Sequence, residues 1–427
     1  MLGLGNTLSK SGVLSRYPNN YSLEFDGTDN YLNLLSPTAL DNFYDNGGTF
    51  SAWIYPTDTT SNQVIYDKAD GGQETNTLYL SLESSGKYKL QFKREWDTQI
   101  NARWTNSSYV NQPLYKDAWN HVVLTYDSSA YGNSPVFYVN GERKSHGTED
   151  APGSGETVVS DASYNLRIGY SNNNDKPFKG NIDEVAIWDE ILDAEAVSAI
   201  YNSGSPIDLT KASGDYDNEG DLVGWWRAGD GTLDDYDLIS DSATPTLGSE
   251  LFDEEARIFR VDGTYLGSNP VSEHGTDTYG WTQEGSNGLE NDSGELKITY
   301  GDAGGSGGSG EGARLYLRNI TDLSSNLEAA GIYKLTFDAR YEGGSVGVGI
   351  KVYQSGLGAY KYTKAFTTST VNYTLYFFAS AASDFIRLNT LASGNIVYLD
   401  NFSLKKVNGN PALMINMAET DIVTAVP

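Results

Sequence analysis

The chain has 427 residues, no cysteine, and 57 acidic against 29 basic side chains, a formal charge of −28. That length exceeds what one hydrophobic core usually serves, so two globular units are expected, held by packing alone because disulfides and thiolate metal sites are excluded. The acidic surface excludes nucleic acid and anionic lipid as natural partners, and no apolar run approaches ~18 residues, so no membrane insertion is expected.

Met1 to Lys10 lacks a basic start and an apolar stretch of about 7–15 residues, so Sec export of the chain as written is not expected. Residues 1–19 show no periodicity and are expected to form an N-terminal arm that orders against a partner. From Tyr21 to Trp188, short runs of β-branched and aromatic residues alternate with turn clusters, the pattern of an antiparallel sandwich. Asn140-Gly141 predicts a type I′ hairpin, since both residues tolerate positive φ. One short helix is predicted to start at the Asp193 cap and stop at Gly204, with Val197, Ile200 and Tyr201 on its packing face. Gly220 to Arg227 returns as a strand, and a polar segment ending at Pro245 marks the boundary. A second strand-rich pattern then runs to Val407. The segment 408–427 carries Leu413, Met414, Ile415 and Met417 and is expected as a C-terminal tail that packs on its own domain or docks on a neighbouring chain.

The fold class is therefore all-β: two antiparallel jelly-roll sandwiches in tandem, over 20–245 and 246–407, with one short helix, an arm and a tail. Tyr21-Ser22-Leu23-Glu24-Phe25-Asp26-Gly27, Phe50-Ser51-Ala52-Trp53-Ile54, Trp119-Asn120-His121-Val122-Val123, Phe137-Tyr138-Val139-Asn140-Gly141 and Gly180-Asn181-Ile182-Asp183-Glu184-Val185-Ala186-Ile187-Trp188 follow one another in an order that resembles the laminin-G-like jelly rolls of the concanavalin A superfamily. That scaffold carries lectins, adhesins and glycanases alike. Gly331-Ile332-Tyr333 opening a strand and the closing Tyr398-Leu399-Asp400-Asn401 give the second unit a resemblance to family-4/9-type carbohydrate-binding modules.

Several constellations bear on chemistry. Glu24, Asp26 and Asp29 imitate the alternating carboxylates of a glycanase strand but fall at a strand end and tight turn, and Glu95-Trp96-Asp97 has Ile100 where the next acid should stand. His121 reads as a sheet residue, while His146 and His274 sit in polar, turn-rich sequence with no nucleophile elbow near them. The chain is therefore expected not to be an enzyme. Asp215, Asp217, Glu219 and Gly220 imitate half of a calcium loop, but Trp226 stands where its bidentate glutamate belongs, which favours a solvated acidic loop. Resemblance to laminin-G-like domains, which often hold calcium at a sandwich edge, makes Asp26, Asp29 and Asp183 a second candidate set for calcium.

Sugar rings stack on aromatic faces rimmed by polar groups. Trp96 and Trp104 lie among polar neighbours, as do Tyr353, Tyr360 and Tyr362, and these five are the candidate glycan-binding residues; for the two tryptophans a place in the core is the equal alternative. Trp53, Trp119, Trp188 and Trp226 read as core. Arm, two sandwiches and tail together resemble virion structural proteins of marine tailed phages. That resemblance implies a non-enzymatic virion surface protein, a capsid decoration or fibre-type component assembled in the host cytoplasm. Its expected partners are other virion proteins, further copies of itself, and glycans. A bacterial surface adhesin and a glycan-cleaving enzyme are the alternatives.

Overall fold

The computed structural model describes residues 17–35, 38–58, 60–69, 75–82, 87–97, 102–106, 114–171, 176–235, 238–252, 282–283, 288–292, 295–299, 313–316, 323, 325–343, 349–354, 359–362, 365–380, 384–388 and 394–427. His274 and Trp281 fall outside them.

The first unit contains β1 (Ser22–Asp26), β2 (Tyr31–Leu34), β3 (Gly48–Pro56), β4 (Gln63–Lys68), β5 (Asn76–Leu82), β6 (Tyr88–Arg94), β7 (Ala102–Asn106) and β8 (Asn120–Tyr126). It continues with β9 (Val136–Val139), β10 (Glu142–Lys144), β11 (His146–Asp150), β12 (Leu166–Ile168), β13 (Lys179–Trp188), helix α1 (Ala194–Tyr201), β14 (Leu222–Trp226) and β15 (Leu238–Ile239). The second holds β16 (Leu247–Glu250), β17 (Thr282–Gln283), β18 (Gly288–Asp292), β19 (Glu295–Thr299), β20 (Ala313–Tyr316) and β21 (Ile332–Glu342). Then come β22 (Ile350–Gln354), β23 (Ala359–Tyr362), β24 (Val371–Phe378), β25 (Phe385–Leu388) and β26 (Ile396–Val407), with β27 (Ala412–Ile415) and β28 (Ile422–Val423) last.

In the first sandwich, one sheet runs β10-β9-β8-β3-β13-β1-β28, with β14 also on β13, and faces a sheet ordered β11-β7-β6-β5-β4-β12-β2-β27-β15. Alternation along β3 sends Phe50, Ala52 and Ile54 between the sheets to meet Tyr66, Leu80, Phe92 and Leu124. The opposite face of that sheet is closed by α1. Val197 and Ile200 pack there with Val123, Ala186, Trp188 and Trp225, and Tyr201 stacks on Trp53 with ring centroids 5.8 Å apart. Asp193 Oδ1 accepts from Ala196 N at 2.8 Å, as its capping role requires, while the left-handed C-cap is Asn202. Asn140 and Gly141 both have positive φ, at 53° and 75°, which is the type I′ turn.

The second unit pairs β18-β19-β26-β21-β24, with β16 on β26, against β17-β20-β25-β22-β23. Its core is built from Leu335, Phe337, Ile350, Val352, Leu375, Ile386, Leu399 and Leu404. The Asp400-Asn401 pair marks an irregularity in the β21–β26 register; Asn401 takes φ +52° and its Nδ2 donates to Asp338 at 2.7 Å.

The segment after Val407 is not a free tail, nor does it pack only on its own unit. β27 inserts into the first sandwich between β2 and β15, aligning Met414 with Leu32 and Leu413 with Leu238. β28 extends the other sheet, aligning Ile422 with Leu23. The physical reason is the apolar run itself: Ala412, Leu413 and Met414 become buried there, while the unpaired edges of β2 and β1 gain hydrogen-bond partners. The second unit thus enters after β15 and its chain returns through β27, and Leu238 and Leu413 pack with Ile332, Tyr376 and Val407 where the units meet.

Candidate functional site

Three strands of the second unit repeat one local pattern in which a cation and an aromatic residue flank an aliphatic: Arg314-Leu315-Tyr316, Lys351-Val352-Tyr353, and, reversed, Phe385-Ile386-Arg387. In a strand the middle residue faces one way and its neighbours the other. Val352 lies in the core, which puts Lys351 and Tyr353 on the other face of β22. The register then aligns them. Tyr316 is opposite Phe385, Phe385 opposite Tyr353, and Tyr353 opposite Tyr360, a row across four strands spanning ~14 Å. One step along, Arg314, Arg387, Lys351 and Tyr362 form a parallel row, continued by Thr282 on β17. Among these nine positions there is no carboxylate. Tyr353 is half-buried and Lys351 is largely covered.

The register therefore aligns Tyr353 with Tyr360 and sets Tyr362 opposite Lys351. Tyr316, Phe385, Arg314, Lys351 and Arg387 hold neighbouring register positions that the sequence reading missed. The repeated cation–aliphatic–aromatic triplet was visible in the sequence, but the strand pairing that turns three triplets into two rows was not.

Trp96 and Trp104 are corrected to core: each is only 1% exposed. Trp104 stacks on Phe92 at 5.9 Å and meets Tyr126 at 5.5 Å. Their polar neighbours serve as loop staples, with Thr75 Oγ1 donating to Glu95 at 2.9 Å and Thr157 Oγ1 to Asp97 at 3.0 Å. Trp119, expected in the core, is half-buried and meets Tyr55 edge-on, whereas Trp53, Trp188 and Trp226 are buried.

The calcium set is not assembled. Asp26 is exposed and accepts from Thr28 N at 2.7 Å within its turn, and Asp29 is exposed beside it. Asp26 aligns with Lys179, four residues along β13 from Asp183, or ~13 Å. Asp183 is buried and accepts from Asn19 Nδ2 at 2.9 Å. Among the described residues no three acidic or histidine side chains group to hold a metal ion. In the Asp215–Asp221 loop the anchor is the buried Tyr216, which donates to Leu209 O at 2.7 Å and accepts from Trp188 Nε1 at 3.1 Å.

Two buried polar groups could suggest chemistry. Ser51 Oγ and His121 Nε2 are 2.8 Å apart, but they border a cavity of about 10 Å³, room for one water molecule. Burial pushes the His121 pKa down to about 3. Beside them Glu184, at φ +49°, accepts from Trp225 Nε1 at 2.6 Å and lies 3.3 Å from Arg227 Nε. Burial raises its pKa to about 7, with Arg227 opposing. Burial and the Glu184 charge raise Asp183 as well. The Arg227 guanidinium lies 4.4 Å over the Tyr17 ring and donates to Pro18 O, so the last residues of the expected arm lie over this cluster.

Residues 26–198 match the family model described as the concanavalin A-like lectin/glucanases superfamily. No curated protein matches the chain in sequence. Among solved structures, it is similar to a heptameric SAP-like pentraxin from Limulus polyphemus, with 17% identity, TM-score 0.33, and coverage of 43% of this chain and 82% of that one. It is also similar to the carbohydrate-binding module CBM40 of the Ruminococcus gnavus IT-sialidase bound to α2,3-sialyllactose, with 16% identity, TM-score 0.32, and coverage of 42% and 95%. A third likeness is to tailspike protein 2 of an Escherichia coli O157:H7 bacteriophage, with 15% identity, TM-score 0.33, and coverage of 51% of this chain and 31% of the tailspike.

Proposed function

We propose that this protein is a non-enzymatic glycan-binding protein of a virion surface, a capsid decoration or fibre-type component carried in many copies. The observation that supports glycan binding is the row Tyr316–Phe385–Tyr353–Tyr360 across four strands. Aromatic positions spaced by the ~4.8 Å strand separation offer successive stacking platforms to an extended saccharide. Each contact is weak, and many copies on one particle raise avidity without strengthening any of them. The virion part of the reading is supported by a chain with no cysteine, whose sandwiches need no oxidising compartment to fold.

The test has two arms. Multivalent wild-type protein on a glycan array should bind, and Tyr353→Ala and Tyr360→Ala should each remove most of that signal without changing the melting temperature. No binding by wild type rejects the glycan reading. Immunogold labelling of purified particles should decorate virions; label confined to a cell envelope would replace the virion with an adhesin.

A further inference from the structure

Independently of the glycan reading, we infer that residues 17–21 form a proton-dependent strap, closed over Asp183 and Glu184 while that pair holds a proton and lifting as the proton leaves. The strap is held at successive points. Tyr17 stacks on Trp225 with ring centroids 5.9 Å apart, Pro18 O accepts from Arg227, and Asn19 Nδ2 donates to Asp183 at 2.9 Å. Asn20 N and Tyr21 N then donate to Asp230 at 2.6 and 2.9 Å, and Asn20 Nδ2 donates to it at 2.8 Å. The strap itself holds no acidic or basic side chain, so it brings dipoles and no charge to the cluster it covers. Lifted, it bares the Trp225 ring and frees the last residues of the expected arm for a partner.

The acid pair exists because β13 is irregular at this point. Its register on β3 shifts between Asp183 and Ala186, and Glu184 takes φ +49°. Ile182 and Val185 enter the core between the sheets, so the two consecutive acids between them turn together to the opposite face. Asp183 is 0% exposed and Glu184 4%. Against these two and the half-buried Asp230 the structure sets Arg227, 3.3 Å from Glu184. One guanidinium does not compensate two buried carboxylates, and a covered pair therefore keeps a proton that a wet one gives up. Burial accordingly holds both acids above the usual carboxylate range, Glu184 at about 7. The other groups facing the cluster do not titrate near neutrality. Tyr17 is pushed up by burial, and His121, which borders the same small cavity as Glu184, has its pKa down at about 3. Asp208, facing Tyr17 from the loop after α1, pairs with Lys211 at 2.7 Å and lies below the usual range, its hydrogen bonds outweighing burial. Because the covered pair binds protons more tightly than the open one, closure is fully favoured below the open-state carboxylate pKa and weakens as pH rises through about 7.

The test is hydrogen–deuterium exchange of the full chain, read at the amides of Asn20 and Tyr21, which donate to Asp230 in the closed strap. Each rate is divided by the intrinsic rate at the same pH, and the amides of β8 serve as the reference for opening of the whole sandwich. From about pH 5.5 to about 8 the opening constant of the strap should rise at least about tenfold, since loss of one proton on opening changes it by up to about tenfold per pH unit. The β8 amides should not follow. Glu184→Gln keeps an acceptor for Trp225 Nε1 and removes one titrating charge, so it should reduce the rise; combined with Asp183→Asn it should abolish the rise and leave the strap closed at the alkaline end. Asp230→Asn, which weakens an anchor without touching the pair, should loosen the strap at every pH and keep the slope. An opening constant that is flat or falls with pH in the wild type overturns the inference. A full rise that persists in Glu184→Gln and in the double variant overturns it by placing the titrating group elsewhere, and a rise shared by β8 overturns it by showing that the sandwich opens as a whole. Should the double variant fail to fold, the smaller rise in Glu184→Gln alone decides.

Discussion

Lys68 Nζ lies 2.7 Å from Asp161 Oδ1 in the first sandwich, and neither side chain is exposed to solvent. Arg94 Nη1 approaches the other carboxylate oxygen at 2.8 Å, Asn76 Nδ2 donates to it at 2.9 Å, and Asn42 N donates to Oδ1 at 2.8 Å. One buried carboxylate thus compensates two buried cations, with Asp41 and Asp45 helping from the rim. Asp161→Asn removes that charge and leaves both cations in the interior, so a loss of about 3–5 kcal/mol is expected in denaturant unfolding. Burial pushes Asp161 up, but Arg94, Lys68 and the donors to it outweigh burial and hold it below the usual carboxylate range. Its stabilisation is therefore complete above the unfolded carboxylate pKa and disappears as pH falls through the folded one.

His121 behaves oppositely in origin but not in sign. Its folded pKa of about 3 lies below the unfolded value, so between pH 6.5 and 3 only the unfolded chain takes the proton, and stability falls as pH falls. Between pH 6.5 and 4.5 the contribution should be about 2–3 kcal/mol. His121→Asn should flatten the unfolding free energy over that interval relative to wild type, and parallel curves for the two proteins would disprove the assignment.

Gly141 has two reasons to be glycine. Its φ is +75°, and an added Cβ would stand 2.7 Å from the Tyr201 ring. Gly141→Val should therefore cost well over the ~1–2 kcal/mol of left-handed strain alone. Because Tyr201 is on α1, the double variant with Tyr201→Ala should recover part of the loss. Additive effects of the two changes would separate the hairpin from the helix.

Met414 tests the returning segment. It belongs to the core of the first sandwich although it lies far beyond the second unit in sequence. Met414→Asp should destabilise the first sandwich by at least about 3 kcal/mol, since a carboxylate there has no partner. A melting temperature equal to wild type would mean that the segment is a tail after all.

What was legible in the sequence was local. The Asn140-Gly141 turn, the Asp193 cap and the Val197–Ile200 face each depend on a few neighbouring residues, and each stands where expected. The destinations of aromatic residues were less legible, because the face a side chain takes is decided by the partner strand. Trp104 has polar neighbours because β7 is amphipathic: Arg103 pairs with Asp150 on the solvent side while Trp104 enters the core. The same limit hid the alignment of Tyr353 with Tyr360, which appears only when β22 pairs with β23. The long-range return of Leu413 and Met414 to β15 and β2 had no local signal beyond an apolar run without its own sheet.

The link between the two units is a ribbon, with mechanical consequences. Outgoing and returning chains remain paired, Ile239 with Ala412 and then Leu247 with Val407, and between these pairs Asn408 N donates to Thr246 O at 3.0 Å while Asn410 N donates to Asp241 at 3.0 Å. A pull on the second unit is shared between two backbones. One of them ends in β27, flanked by β2 and β15, where the load runs along the strands as shear across several hydrogen bonds at once. Peeling such a strand from its edge breaks bonds singly and yields easily; shearing it does not. A protease that cuts one side of the ribbon still leaves the other holding, so the second unit would stay tethered to the first after a first nick.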